Sequence, residues 1–229
     1  MKKHIPNTVT CLNLFSGCLG VVFAFEGNLH WASYAIFIAA VFDFLDGMLA
    51  RLLQAYSDIG KELDSLADVV SFGFLPSVII YQLFQQSAHP YSSWLNYTAF
   101  LIVIFSALRL AKFNIDTRQS DNFIGFPTPA NAILIASLPF IADQGIFMSF
   151  LPGSPLFLVV LSLGMGLLLV SEIQLISLKF KGLNLNANAH RYILVISSLV
   201  LLLLLKFAAV PLIILLYFLI SFIHFRSTK

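Results

Sequence analysis

The chain has 229 residues, of which 59% are hydrophobic and 10% charged, with a formal net charge of +2 and a mean hydropathy of +0.91. That composition excludes an ordinary soluble domain, and so small a charge gives no footing for a nucleic-acid partner. Runs that are apolar on every face, such as residues 192 to 205, also exclude a transmembrane barrel, whose strands alternate between lipid and lumen. The expected fold class is all-α: a polytopic integral membrane helical bundle, with residues 1 to 229 forming one membrane-embedded domain.

Apolar runs and their breaks predict about eight transmembrane helices, at residues 9 to 25, 31 to 52, 63 to 84, 93 to 112, 129 to 149, 155 to 175, 189 to 205 and 209 to 225. An even number places both termini on one side. Lys2, Lys3, Arg51, Lys61, Arg109, Lys112, Arg118, Lys179, Lys181, Arg191, Arg226 and Lys229 fall at one face of this arrangement and Lys206 alone at the other. Cationic loops stay cytoplasmic, so both termini are expected in the cytosol and the membrane is the cytoplasmic one.

The first segment opens on a basic start, but Asn7, Thr10 and Asn13 interrupt the apolar core that a cleavable signal peptide needs, so the segment is expected to be retained. Cys11 and Cys18 lie about two helical turns apart on it, too far for a disulfide, and read as packed thiols. The last two segments, taken as one helix, would run about 55 Å against a hydrocarbon core of about 30 Å. A hairpin near residues 206 to 211 is therefore required. The five histidines lie at segment ends without metal-ligand spacing.

One stretch breaks the apolar pattern with four carboxylates: Asp43, Asp46, Asp64 and Asp68, accompanied by Gly47, Ala50, Arg51 and Gly60. An ionisable group inside a membrane helix costs about 2.5–3.5 kcal/mol or more, so a cluster of them points to function. Asp43 and Asp46 share a helical face at i and i+3, and Asp64 and Asp68 share one at i and i+4. Residues 52 to 59, the least apolar run nearby, read as a turn that folds the two helices antiparallel and lets all four carboxylates converge. So many like charges need a cation, and all-oxygen ligands suit Mg²⁺, Mn²⁺ or Ca²⁺. Four carboxylates suffice for two divalent ions, the arrangement that holds the attacking and leaving oxygens of a phosphoryl displacement. Asp43 lies about 12 Å inside the Arg51 end of its helix, below the headgroups. Pro76, further along the helix of Asp64 and Asp68, is placed to kink it.

Pro6, Asn7, Thr10 and Asn13 set polar side chains at helical spacing at the start of the first segment. Residue chemistry alone leaves two readings open: contacts to pyrophosphate oxygens, or a helix cap.

The pattern D-x-x-D-G-x-x-A-R-x8-G-x3-D-x3-D, matched at every fixed position from Asp43 to Asp68, resembles the signature of the CDP-alcohol phosphatidyltransferases. The opening P-N-x-x-T-x-x-N resembles their phosphatidylserine synthase branch, as do Ser71-Phe72-Gly73, the run from Leu108 to Asn114, and the run from Phe123 to Pro129. Within the second run Lys112 replaces the branch's usual arginine, keeping the charge and losing the bidentate fork. The likeness runs from Pro6 to about Asn131; beyond it the segments match only in being apolar.

The resemblance implies an enzyme in which the hydroxyl of L-serine attacks the β-phosphorus of CDP-diacylglycerol, giving phosphatidylserine and CMP. It implies Asp43, Asp46, Asp64 and Asp68 as ligands of two divalent cations, with Asp68 as general base. It further implies Asn7, Thr10, Asp46, Gly47, Ala50, Arg51, Gly60 and Lys61 around CDP-diacylglycerol, and Ser71, Arg109, Lys112 and Asn114 around serine. A homodimer in membrane lipid, its active site facing the cytosol, is implied as well. Glycerol 3-phosphate or an inositol phosphate is the alternative acceptor, disfavoured because few cations lie near the motif. A cation transporter is a more distant alternative, disfavoured because the acidic residues sit in one hairpin rather than in two related halves.

Overall fold

The computed structural model describes residues 4–87, 93–116, 123–145, 150–176 and 188–227. Lys2, Lys3, His89, Arg118, Lys179, Lys181 and Lys229, counted above, lie outside these residues. Helices α1 (His4–Phe25) and α2 (Leu29–Leu52) pair through a short turn. Their seam is built of small residues, with Gly20 and Ala24 of α1 and Ala32, Ala35 and Ala39 of α2 all buried. A Cβ on Gly20 would stand 2.8 Å from that of Ala35. Lipid supplies no hydrophobic drive between helices, so close backbone approach supplies the packing instead.

The turn at residues 53 to 57 leads into α3 (Asp58–Asp68), which begins earlier than the sequence pattern suggests. The reason is local: Ser57 caps it, its hydroxyl accepting the Gly60 N–H at 3.0 Å, so polar residues ahead of the apolar run are already helical. A π-helical turn (Val69–Phe74) follows, in which the Leu75 N–H bonds the Val70 carbonyl, and the chain continues as α4 (Leu75–Gln86). Pro76 explains the widening. It has no N–H for the Phe72 carbonyl and its ring crowds that oxygen, a conflict a π turn relieves. The Ser77 hydroxyl then donates to the Gly73 carbonyl at 2.8 Å.

A 3-10 stretch (Ser93–Phe100) precedes α5 (Leu101–Ile115), followed by α6 (Thr128–Asp143) and α7 (Pro155–Val170). The segment expected to stay helical to residue 175 stops at Val170. Two residues, β2 (Gln174–Leu175), instead pair antiparallel with β1 (Phe123–Ile124), a small departure from an all-helical chain. Gly125 makes this contact possible: its φ is +79°, and a Cβ there would stand 2.8 Å from the Leu169 carbonyl oxygen.

The chain ends in α8 (Ala189–Leu205) and α9 (Ala209–Ser227). The hairpin required by membrane thickness is present: the rings of His190 and His224 lie 4.3 Å apart although 34 residues separate them. Lys206, at φ 51° and ψ −128°, makes the reversal. That conformation suits glycine, so Lys206→Gly is expected to stabilise the protein by about 1 kcal/mol, seen as a raised Tm in detergent.

The bundle has two distinct ends. At one, His30 pairs with Asp143 at 2.9 Å, and Phe140 stacks on Phe207 at 4.0 Å beside the Lys206 turn. At the other lie the aspartates, Arg109 and the α8–α9 termini. Among the described residues four stretches are long and apolar enough to cross a membrane: His4–Phe25, Asp58–Gln86, Trp94–Ile115 and Ala189–Arg226, the last folded back at Lys206. Thr128–Asp143 and Pro155–Val170 are apolar but shorter. Phe15, Phe44, Val160, Leu203 and Phe222 point outward, as side chains facing lipid do, and the whole fits an integral membrane protein.

Candidate active site

Asp43 of α2 and Asp64 and Asp68 of α3 each bring one carboxylate oxygen to within 4.8 Å of the others. Divalent ions take oxygen ligands at about 2.0–2.6 Å, so this spacing falls within the reach of one ion. Asp46 was expected to join the same point and stands apart from it. Three residues along α2 is about 4.5 Å of rise and 60° of rotation, enough to turn Asp46 toward the Thr10 hydroxyl of α1. It remains near enough to the other three for the charges to be felt.

Asp46 Oδ2 and Asp64 Oδ1 are buried without a hydrogen-bond partner. Among the described residues no cation forms a salt bridge with any of the four aspartates. Buried carboxylates without compensation are costly, and a hard divalent cation bound by oxygen would supply it, so this donor set fits such an ion.

Beside the trio opens a cavity of about 690 Å³. Asn7, Thr10, Asp46, Gly47, Ala50, Gly60 and Lys61, seven of the eight residues that the resemblance placed around CDP-diacylglycerol, line it together with Asp64. Arg51 does not: it is exposed, and its Nε donates to the Gly47 carbonyl one turn back at 2.9 Å. Two glycines give the cavity its shape. A Cβ on Gly60 would stand 2.9 Å from Asn7 Oδ1, so glycine lets the capped start of α3 close against α1, whereas Gly47 faces open space. Tyr56, Ser57 and Asp58 also line the cavity. In the sequence these residues mark only a turn, and their polarity in an apolar chain is the signal that points to the cavity.

Asn13 links α1 to the acidic cluster. Fully buried, it donates from Nδ2 to Asp68 Oδ1 at 3.3 Å. The sequence shows it only as part of the N-terminal polar run, and the fold brings Asp68 near it. Ser71 is placed differently from the serine-contact reading. It is fully buried and its hydroxyl donates to the Asn13 carbonyl at 3.0 Å, so it fastens α1 to the π turn.

Arg109 is buried close to Asp68, and its Nη1 donates to Thr128 Oγ1 at 2.8 Å. Asn114 donates to Ser65 Oγ at 2.9 Å and accepts on its carbonyl from Lys61 Nζ at 2.8 Å, tying α5 to α3. Lys112 is exposed at the end of α5, in keeping with an interfacial anchor.

A helical membrane bundle with a carboxylate trio beside a cavity that Asp46, Asp64 and Lys61 help to line defines a class, and residues 3–170 match the CDP-alcohol phosphatidyltransferase family. The chain belongs to that family. Among its relatives are three proteins named CDP-diacylglycerol–serine O-phosphatidyltransferase. That of Bacillus subtilis (strain 168) is 35% identical over 172 residues, covering 75% of this chain and 89% of the relative. That of Helicobacter pylori (strain ATCC 700392 / 26695) is 36% identical over 173 residues, covering 74% and 70%. That of Methanocaldococcus jannaschii is 34% identical over 170 residues, covering 74% and 72%.

Proposed function

We propose that this protein transfers the phosphatidyl group of CDP-diacylglycerol to the hydroxyl of L-serine, releasing CMP, as the names of its relatives describe for them. The observation that carries the reading is the convergence of Asp43, Asp64 and Asp68 beside a cavity walled by Asn7, Thr10, Asp46 and Lys61. Two divalent ions, Mg²⁺ or Mn²⁺, held by these four aspartates would neutralise the pyrophosphate and the charge gathering on the departing CMP.

The chain's own residues do the rest. Gly47 and Ala50 leave a small-sided wall for the cytidine, Lys61 and the Asn7 amide meet phosphate oxygens, and Arg51 meets phosphates from the rim. Asn13, donating to one oxygen of Asp68, fixes the carboxylate so that the other oxygen can take the proton of the attacking hydroxyl. The single domain lies in the cytoplasmic membrane as about eight spans with both termini and the active site at the cytosolic face. Arg51, Lys61, Lys112, Arg191 and Arg226 at the aspartate end, with Lys206 at the other, support that orientation. A homodimer is the assembly carried over from the family resemblance.

Purified protein in mixed micelles is expected to release CMP from CDP-diacylglycerol only when both L-serine and Mg²⁺ or Mn²⁺ are present, and to stop when the ions are chelated. An acceptor screen decides the alcohol: release driven by glycerol 3-phosphate and not by serine would replace serine in this reading.

A further inference from the structure

Arg109, close to Asp68, and the start of α6 hold buried polar atoms that the fold does not itself use. Arg109 spends Nη1 on Thr128, while its buried Nε has no acceptor. Asn131 stands one turn along α6 from Thr128, on the same helical face. It is fully buried, and neither its Oδ1 nor its Nδ2 has a partner. Each buried polar group left unpaired costs about 1–3 kcal/mol, and an apolar side chain of the same size would pack here without that cost. The atoms left over are a cationic donor, a neutral donor and a neutral acceptor. These are what a zwitterionic α-amino acid needs, because the amide donates to a carboxylate and accepts from an ammonium.

The other residues that the resemblance implies around serine are engaged or remote: Ser71 with Asn13, Asn114 with Ser65, and Lys112 at the surface. We propose that Asn131, with Arg109, recognises the amino-acid end of the acceptor. Arg109 takes the carboxylate, and the Asn131 carbonyl oxygen accepts from the ammonium while its Nδ2 supports the carboxylate, leaving the hydroxyl directed at Asp68. Asn131 is thus a specificity-determining residue. The inference rests on the transfer to serine proposed above.

The test uses the full chain in CDP-diacylglycerol micelles, with L-serine, ethanolamine and 3-hydroxypropionate as acceptors. Asn131→Leu is expected to raise the KM for L-serine roughly ten- to a hundredfold while leaving the KM for CDP-diacylglycerol near the wild-type value. It should also narrow the preference for L-serine over 3-hydroxypropionate, which lacks the ammonium. If Asn131→Leu does not fold, Asn131→Asp keeps the acceptor and sets a negative charge beside the carboxylate. It should then weaken L-serine more than ethanolamine. Serine kinetics and acceptor preference unchanged in the folded variants, with the wild type active, overturn this inference and leave the transfer reaction standing. A wild type that releases no CMP in response to serine overturns both.

Discussion

Asparagine in place of Asp68 is expected to lower serine-dependent CMP release by roughly 10²–10⁴-fold, the range for loss of a general base, while the protein still folds and inserts. The substitution is nearly isosteric at a buried site, and Asn13 Nδ2 would still find an oxygen to donate to. What disappears is a negative charge and with it a basic oxygen. The fall should therefore appear mainly in kcat, with little change in the KM of either substrate. Asp46→Asn makes the contrast. Asp46 lines the cavity outside the carboxylate trio but is one of the four proposed ion ligands, so its loss should raise the KM for CDP-diacylglycerol and the Mg²⁺ or Mn²⁺ concentration needed for turnover, while moving the KM for serine less. Initial rates over a grid of both substrates distinguish the two variants. Undiminished turnover in Asp68→Asn would remove that residue from the mechanism.

Much of this site was legible in sequence because charge inside a membrane helix is so costly that every occurrence is informative. The spacing of Asp43, Asp64 and Asp68 placed them on two helices able to meet, and they do. The polar run from Asn7 to Asn13 marked a face of α1, and Asn7 and Thr10 line the cavity beside the aspartates. The hairpin at Lys206 followed from length alone. Contacts made only in three dimensions were not legible. Whether Asp46 turns toward Asp43 or toward Thr10 depends on how α1 crosses α2, and Ser71 could be assigned to substrate or to packing until α1 was seen against it. The π turn and the strand pair have a related origin. Pro76 and Gly125 signal an irregularity, but the neighbouring backbone decides its form. Asn131 carried no signal, since a lone amide near a helix start reads as a polar loop residue until its burial is known.

Gly17→Ala is expected to destabilise the protein by about 1–3 kcal/mol, the usual range for overpacking, and to impair turnover although residue 17 touches no substrate. A Cβ at this position would stand 2.9 Å from the Ser71 Cα, which is backbone and cannot rotate away. α1 must then move off the π turn. That movement stretches the Ser71 to Asn13 hydrogen bond, and Asn13 is the residue that orients Asp68. Ser71→Ala breaks that hydrogen bond without adding bulk, so it should cost about 1 kcal/mol and leave α1 seated. Combining the two should not rescue Gly17→Ala, because the Ser71 Cα remains in place whatever its side chain. Tm in detergent, read with kcat for the two single variants and the pair, tests this order of effects. A wild-type Tm in Gly17→Ala, or recovery in the double variant, would mean that α1 is not held against Ser71 closely enough for the helix seam to set the geometry at Asp68.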